Sequence, residues 1–165
     1  MGAAGSSRDL WVAPMTAAVT TSRNIELPDG RTLRSALRSD GPADLGVDVW
    51  FAPGPEDRGK RLRDMIWDTS RCGVKIVSHR LASVLCEEDP TLRRVPVDLR
   101  GHQGVAIPDY VVLMEQVGVA SPVHSMKSRV RGSSFVVSDE VRTRVRSEGF
   151  TGLEWKNVSS PFPIE

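Results

Sequence analysis

The chain has 165 residues, of which 26% are charged and 39% hydrophobic, with a formal net charge of +1. A domain of that size buries a core without disulfide or metal staples, and this balance of polar and apolar residues excludes wholesale disorder. Near-zero net charge gives no global attraction to nucleic acid or to an anionic membrane, and no stretch approaches the roughly 20 apolar residues that span a bilayer.

Residues 1–22 open with small residues and hold an apolar patch from Leu10 to Val19, interrupted by Pro14 and Thr16. An export signal needs a continuous apolar region, so this segment is expected to be a flexible leader or an edge strand, and the protein cytoplasmic. A single domain is expected over 23–158, with 159–165 as a tail. Ile25 to Leu27 before Pro28-Asp29-Gly30 reads as a strand entering a turn, and Leu33, Ala36 and Leu37 recur at helical spacing within 31–38. Loop chemistry fills 39–48. Val47 to Ala52 alternates as a strand, and Leu62, Met65 and Ile66 predict a second helix over about 56–68.

One phrase then occurs twice. Lys75 to Leu85 reads KIVSHRLASVL, and Phe135 to Val145 reads FVVSDEVRTRV. Each is a short apolar strand, then a serine, then apolar residues at helical spacing. Ser78 and Ser138 are therefore expected as N-caps, their hydroxyls accepting from free N–H groups of the first turn. Asp89-Pro90 stops the first of these helices, and Gly149 ends the second. Between them, Val95 to Leu99 is extended, with Pro96 pointing to a sheet edge. Tyr110 to Met114 is apolar on both faces and predicts an interior strand, while 121–134 reads as a long polar and basic excursion. Leu153 to Trp155 supplies a last strand. Strands outnumber helices and their connections vary in kind. The fold class expected is α+β, with a mainly antiparallel or mixed sheet, short helices and two similar strand-Ser-helix units.

Residue chemistry points to no reaction. Ser78 and His79 are adjacent, and adjacent residues on a helix point about 100° apart. His102 and His124 fall in loops without a nucleophile elbow beside them. Cys72 and Cys86, with His79 between them, show no metal-ligand spacing and read as structural thiols. Gly101-His102-Gln103-Gly104 is too short for a phosphate loop. Glu87, Glu88 and Asp89 crowd a helix C-terminus, where the dipole disfavours them. No catalytic residue, cofactor or metal is expected. Charge is nevertheless uneven. Residues 40–57 carry Asp40, Asp44, Asp48, Glu56 and Asp57 with no base, whereas 127–146 carry six bases against Asp139 and Glu140. The candidate partner-binding residues are Asp44, Asp48 and Asp57 in the first patch, and Arg142 and Arg146 in the second. A protein partner is expected over nucleic acid, since the basic stretch offers only Phe135 for stacking.

The order IVSHRLASVL, RRVPVDL, DYVVLMEQV, a Ser-rich connection (Ser121, Ser125, Ser128), FVVSDEVRTRV and GFTGLEW resembles immunity protein family eleven of bacterial polymorphic-toxin systems. The resemblance covers about residues 74–156 and lies in the order of the phrases. Two departures stand out. The paired Cys-x-x-Cys-Gly motifs of one branch of that family are absent, and Pro122-Val123-His124-Ser125 stands where many relatives have an Asp. The resemblance implies a non-catalytic protein that binds and neutralises a cognate toxin. Two other readings stay open: a small enzyme or nucleic-acid-processing factor using His79, His102 or His124, and an accessory subunit docking through Trp11 and the leader.

Overall fold

The computed structural model describes residues 8–12, 16–19, 26–54, 59–68, 74–115, 122–128 and 132–157. They form an α+β fold built on two sheets. The larger, mixed sheet joins six strands: β2 (Thr16–Val19), β3 (Phe51–Pro53), β4 (Met65–Asp68), β5 (Lys75–Ser78), β6 (Arg93–Pro96) and β7 (Tyr110–Met114). Their spatial order is β3-β2-β4-β5-β7-β6, with only the β2–β4 pair parallel. The smaller sheet is antiparallel, in the order β10-β1-β9-β8, from β1 (Arg8–Val12), β8 (Val123–Ser128), β9 (Gly132–Val137) and β10 (Leu153–Asn157).

Strand periodicity divides the core into two layers. Met65, Val77, Val111 and Leu113 face one side of the large sheet. There they pack with Leu81 and Leu85 of helix α2 (His79–Glu88), Val141 and Val145 of helix α3 (Asp139–Ser147), and Val123 and Val137 of the small sheet. Ile66, Ile76, Val112 and Val95 face the other side, against Leu33, Ala36 and Leu37 of helix α1 (Leu33–Ser39) and against Leu45, Val49, Phe51 and Leu99. After β6 the chain crosses to the opposite edge of the large sheet. Phe51 N–H donates to Asp98 O and Arg100 N–H to Phe51 O, each at 2.9 Å.

Each helix starts on a hydroxyl. Thr32, Ser78 and Ser138 accept from Ser35 N, Leu81 N and Val141 N at 3.2–3.3 Å. Pro96 lies on an edge strand, where its missing N–H leaves no gap in the ladder. β7 is paired on both sides, as its two-faced apolar run predicts.

Three expectations are corrected. Residues 8–12 and 16–19 are neither leader nor edge: β1 lies between β10 and β9, and β2 lies between β3 and β4. Short strands paired with partners far along the chain leave no local signal for such a position. The helix expected over about 56–68 is instead β4 at its C-terminal end, paired with β5. Met65 and Ile66 enter opposite core layers, so their adjacency is that of a strand buried on both faces rather than one turn of an amphipathic helix. The polar excursion over 121–134 contains β8 and the first half of β9, which pair from Val123↔Val137 to Ser128↔Gly132. The strand expected at 47–52 is shorter and begins at Phe51. The tail over 159–165 lies outside the described residues. Among the described residues, no helix is long and apolar enough to cross a membrane.

Candidate functional site

Asp44 and Asp48 are exposed on the loop between α1 and β3, in the layer that α1 covers. That loop is seated by Gly41, at φ +82°, where a Cβ would sit 2.9 Å from Met114 Sδ and 3.0 Å from Val95 Cγ1. Asp40 does not join them as a free charge. Arg31 binds both Asp40 and Asp29, at 2.5 and 2.6 Å, and its hydrogen bonds hold both carboxyls below the usual carboxylate range. Glu56 and Asp57 lie outside the described residues. Arg146 is exposed on α3, while Arg142 is half-buried with its Nε 3.5 Å from Asp139. The α1 and α3 layers lie on opposite faces of the large sheet, so the structure does not bring Asp44 and Asp48 together with Arg142 and Arg146.

The basic residue that joins elements on α3 is Arg144, which the sequence reading did not single out. Its guanidinium binds Glu87, and Glu88 at 2.8 Å, both on α2, and these hydrogen bonds raise its pKa. The acidic run at the α2 C-terminus thereby acquires a structural partner that offsets the dipole. Asp89, only 1% exposed, accepts from Thr91 N at 3.0 Å, Thr91 Oγ1 at 2.6 Å and Val123 N at 3.4 Å. It joins the end of α2 to the small sheet.

A second polar centre forms around Asp64. Its carboxylate accepts from the Ser78 hydroxyl at 2.8 Å, Thr151 N–H at 2.9 Å, the Thr151 hydroxyl at 3.1 Å and Arg80 at 3.4 Å. Thr151 Oγ1 accepts in return from Asp64 N–H at 3.2 Å. Burial pushes this carboxyl up, but the donors and the Arg80 charge together outweigh it and hold the group below the usual range. Arg80 lies over the Phe150 ring, 4.2 Å from its centroid. The carboxylate's oxygens are thus engaged within the fold, and the Ser78 hydroxyl bonds to Asp64 and Leu81 rather than to His79, whose side chain is exposed. The signal for this centre in the sequence is the Thr151-Gly152 pair in the closing phrase.

In the α2–α3 layer, Lys75 is 5% exposed and its Nζ lies 3.3 Å from Glu115. Burial lowers its pKa against the opposing pull of Glu115, whose Oε2 is buried without a hydrogen-bond partner. The side chains of His102 and His124 and all of Cys72 lie outside the described residues. Cys86 is half-buried against the α2–α3 core. Among the described residues, no group of three His, Cys, Asp or Glu is arranged to hold a metal ion.

One exposed constellation remains, beside Asp48. Arg100 binds Asp98 with donors at 2.5 and 3.0 Å, and its guanidinium lies 5.2 Å from the Trp50 ring centroid. Asp98 and Arg100 are two residues apart on an extended segment and so share a face, which is the sequence signal for this pair. Comparison with protein-family models and with curated proteins finds no match for the chain.

Proposed function

We propose that this protein is a cytoplasmic, non-catalytic immunity protein that binds a cognate bacterial toxin and blocks it. The observation that carries the reading is what the polar residues of the recurring phrases do. Ser78, Ser138, Thr151 and Glu87 to Asp89 cap helices or join elements, with their side chains bonded inside the fold. Phrases that serve the scaffold leave recognition to the exposed loops, as expected of a family whose members share a frame and differ in partner. The ordered resemblance over residues 74–156 points the same way.

The test is co-expression with the C-terminal domain of a large secreted protein encoded immediately upstream. Growth rescue together with a co-purifying complex is the expected result. Absence of both rejects the reading.

A further inference from the structure

Resting on that reading and carrying it further, we propose that the toxin adds an extended, acidic segment as a strand to the outer edge of β8. The phase of the β8–β9 ladder decides which backbone groups that edge offers. Ser138 N–H donates to Pro122 O at 3.0 Å, which makes 122 and 138 a bonded pair. The register runs without a break from Val123↔Val137 to Ser128↔Gly132, and bonded and unbonded pairs alternate along an antiparallel ladder. His124 and Met126 therefore bond to β9, while Val123, Ser125 and Lys127 turn their N–H and C=O groups away from it. Val123 agrees with this phase, because its N–H donates to Asp89 Oδ2 at 3.4 Å. The buried Asp89 carboxylate thus closes one end of the edge and sets where an added strand begins. The outward groups of Ser125 and Lys127 meet no strand among the described residues, since β8 ends the order β10-β1-β9-β8.

A row of unpaired N–H and C=O groups is a template for strand addition, and proteins blunt the edges they do not use. The other outer strands are blunted here. Phe51 of β3 is hydrogen-bonded to the Asp98–Arg100 segment, Pro96 interrupts β6, and β10 carries Glu154 and Lys156, one charge of each sign. β8 has six residues and no proline. In such pairings the main-chain hydrogen bonds supply affinity, and the residues alongside them select the partner.

Charge selects the occupant. Residues 116–138, a stretch that contains both strands of the hairpin, carry Lys127, Arg129 and Arg131 and no acid. A second copy pairing through β8 would set these bases against themselves, and like charges across paired strands destabilise the pair. An extended segment bearing Asp or Glu meets opposite charge instead. Lys127 therefore deters self-pairing and admits an acidic strand.

The test follows amide hydrogen exchange of the full chain by NMR, alone and with the upstream-encoded toxin domain. In the complex the Ser125 and Lys127 amides are expected to exchange roughly tenfold more slowly, gaining the protection that His124 and Met126 already have in the free chain. S125P removes an outward N–H and leaves the β9 ladder intact. It is expected to keep the wild-type melting temperature and to weaken binding roughly tenfold. K127E is expected to weaken binding about threefold at low salt and less at high salt. Undiminished affinity in K127E rejects an acidic segment. Protection of Ser125 and Lys127 in the chain alone, with a dimer in sedimentation, gives the edge to a second copy and rejects the toxin strand. If the complex forms and rescues growth while both amides exchange as in the free chain, this docking edge is rejected and the proposed function stands. If wild type neither binds nor rescues, both fall.

Discussion

Asp64 is a carboxylate whose role is set by its four donors. Replacing it with Asn converts accepting positions into donors that face other donors. D64N should therefore lose about 1–3 kcal/mol at pH 7 in urea denaturation. Because its folded pKa lies below the ordinary 3.8, the unfolded chain binds its proton more tightly. Its contribution is complete above that value and disappears as pH falls through the lower folded pKa, so the gap between wild type and D64N should narrow in acid. Lys75 has the opposite charge and the same pH slope. Burial lowers its folded pKa beneath 10.5, so the unfolded chain again holds the proton better, and stability should rise as pH climbs toward 10.5. Removing Glu115 alone leaves a buried ammonium without the carboxylate 3.3 Å from it. E115L should cost about 3 kcal/mol, and K75M/E115L should regain most of it, because well-packed apolar residues replace a buried ion pair at little loss. Denaturant midpoints of the two variants at pH 7 decide the matter; a double variant no more stable than E115L would contradict it.

Between α2 and α3 the Arg144 bridge is partly open to water, so salt should weaken it. R144A should melt a few degrees at most below wild type in low salt, and the difference should shrink in 1 M NaCl, where the Debye length is about 3 Å. The approach to β10 is more rigid. Gly152 has φ +83°, and a Cβ there would meet Arg63 Cβ at 2.8 Å and Met65 O at 2.9 Å, whereas Gly149, at φ +68°, has open space. G149A should lose only the left-handed penalty of about 1 kcal/mol, and G152A should lose about 2–4 kcal/mol through the added collision with backbone. Equal losses in urea denaturation would remove the close-approach argument. These elements also divide what the sequence reveals. Ser78 and Ser138 could be read because a cap hydroxyl and the N–H that donates to it lie three residues apart. Pro96 could be read because a missing N–H restricts a strand to the edge. The stretch around Met65 misled because two neighbouring apolar side chains fit one helical turn as well as a strand between two cores, and only β5 and β2 decide. The site was less legible still. Asp44 and Asp48 could be found as unopposed charge, but the Arg100–Trp50 stack joins residues fifty positions apart and leaves no periodic trace.

Across the whole molecule, the two N-terminal strands are the least expected part of the design. Without β1, the small sheet separates into β10 alone and the β9–β8 pair; without β2, β3 loses its neighbour in the large sheet. Deleting residues 1–19 should abolish cooperative melting and expose dye-binding apolar surface, where a leader would leave the transition unchanged. Circular dichroism melts and a fluorescent apolar dye separate the two outcomes. The placement of β1 also sets an order of events during synthesis. Arg8 lies opposite Asn157 and Leu10 opposite Trp155, with Val137 and Phe135 of β9 on the other side. β1 thus waits for β9 and β10, both more than a hundred residues further along, to emerge before either neighbour exists. At about 5–20 residues per second that wait lasts on the order of ten seconds, during which its unpaired backbone is open to chaperones or to other nascent chains.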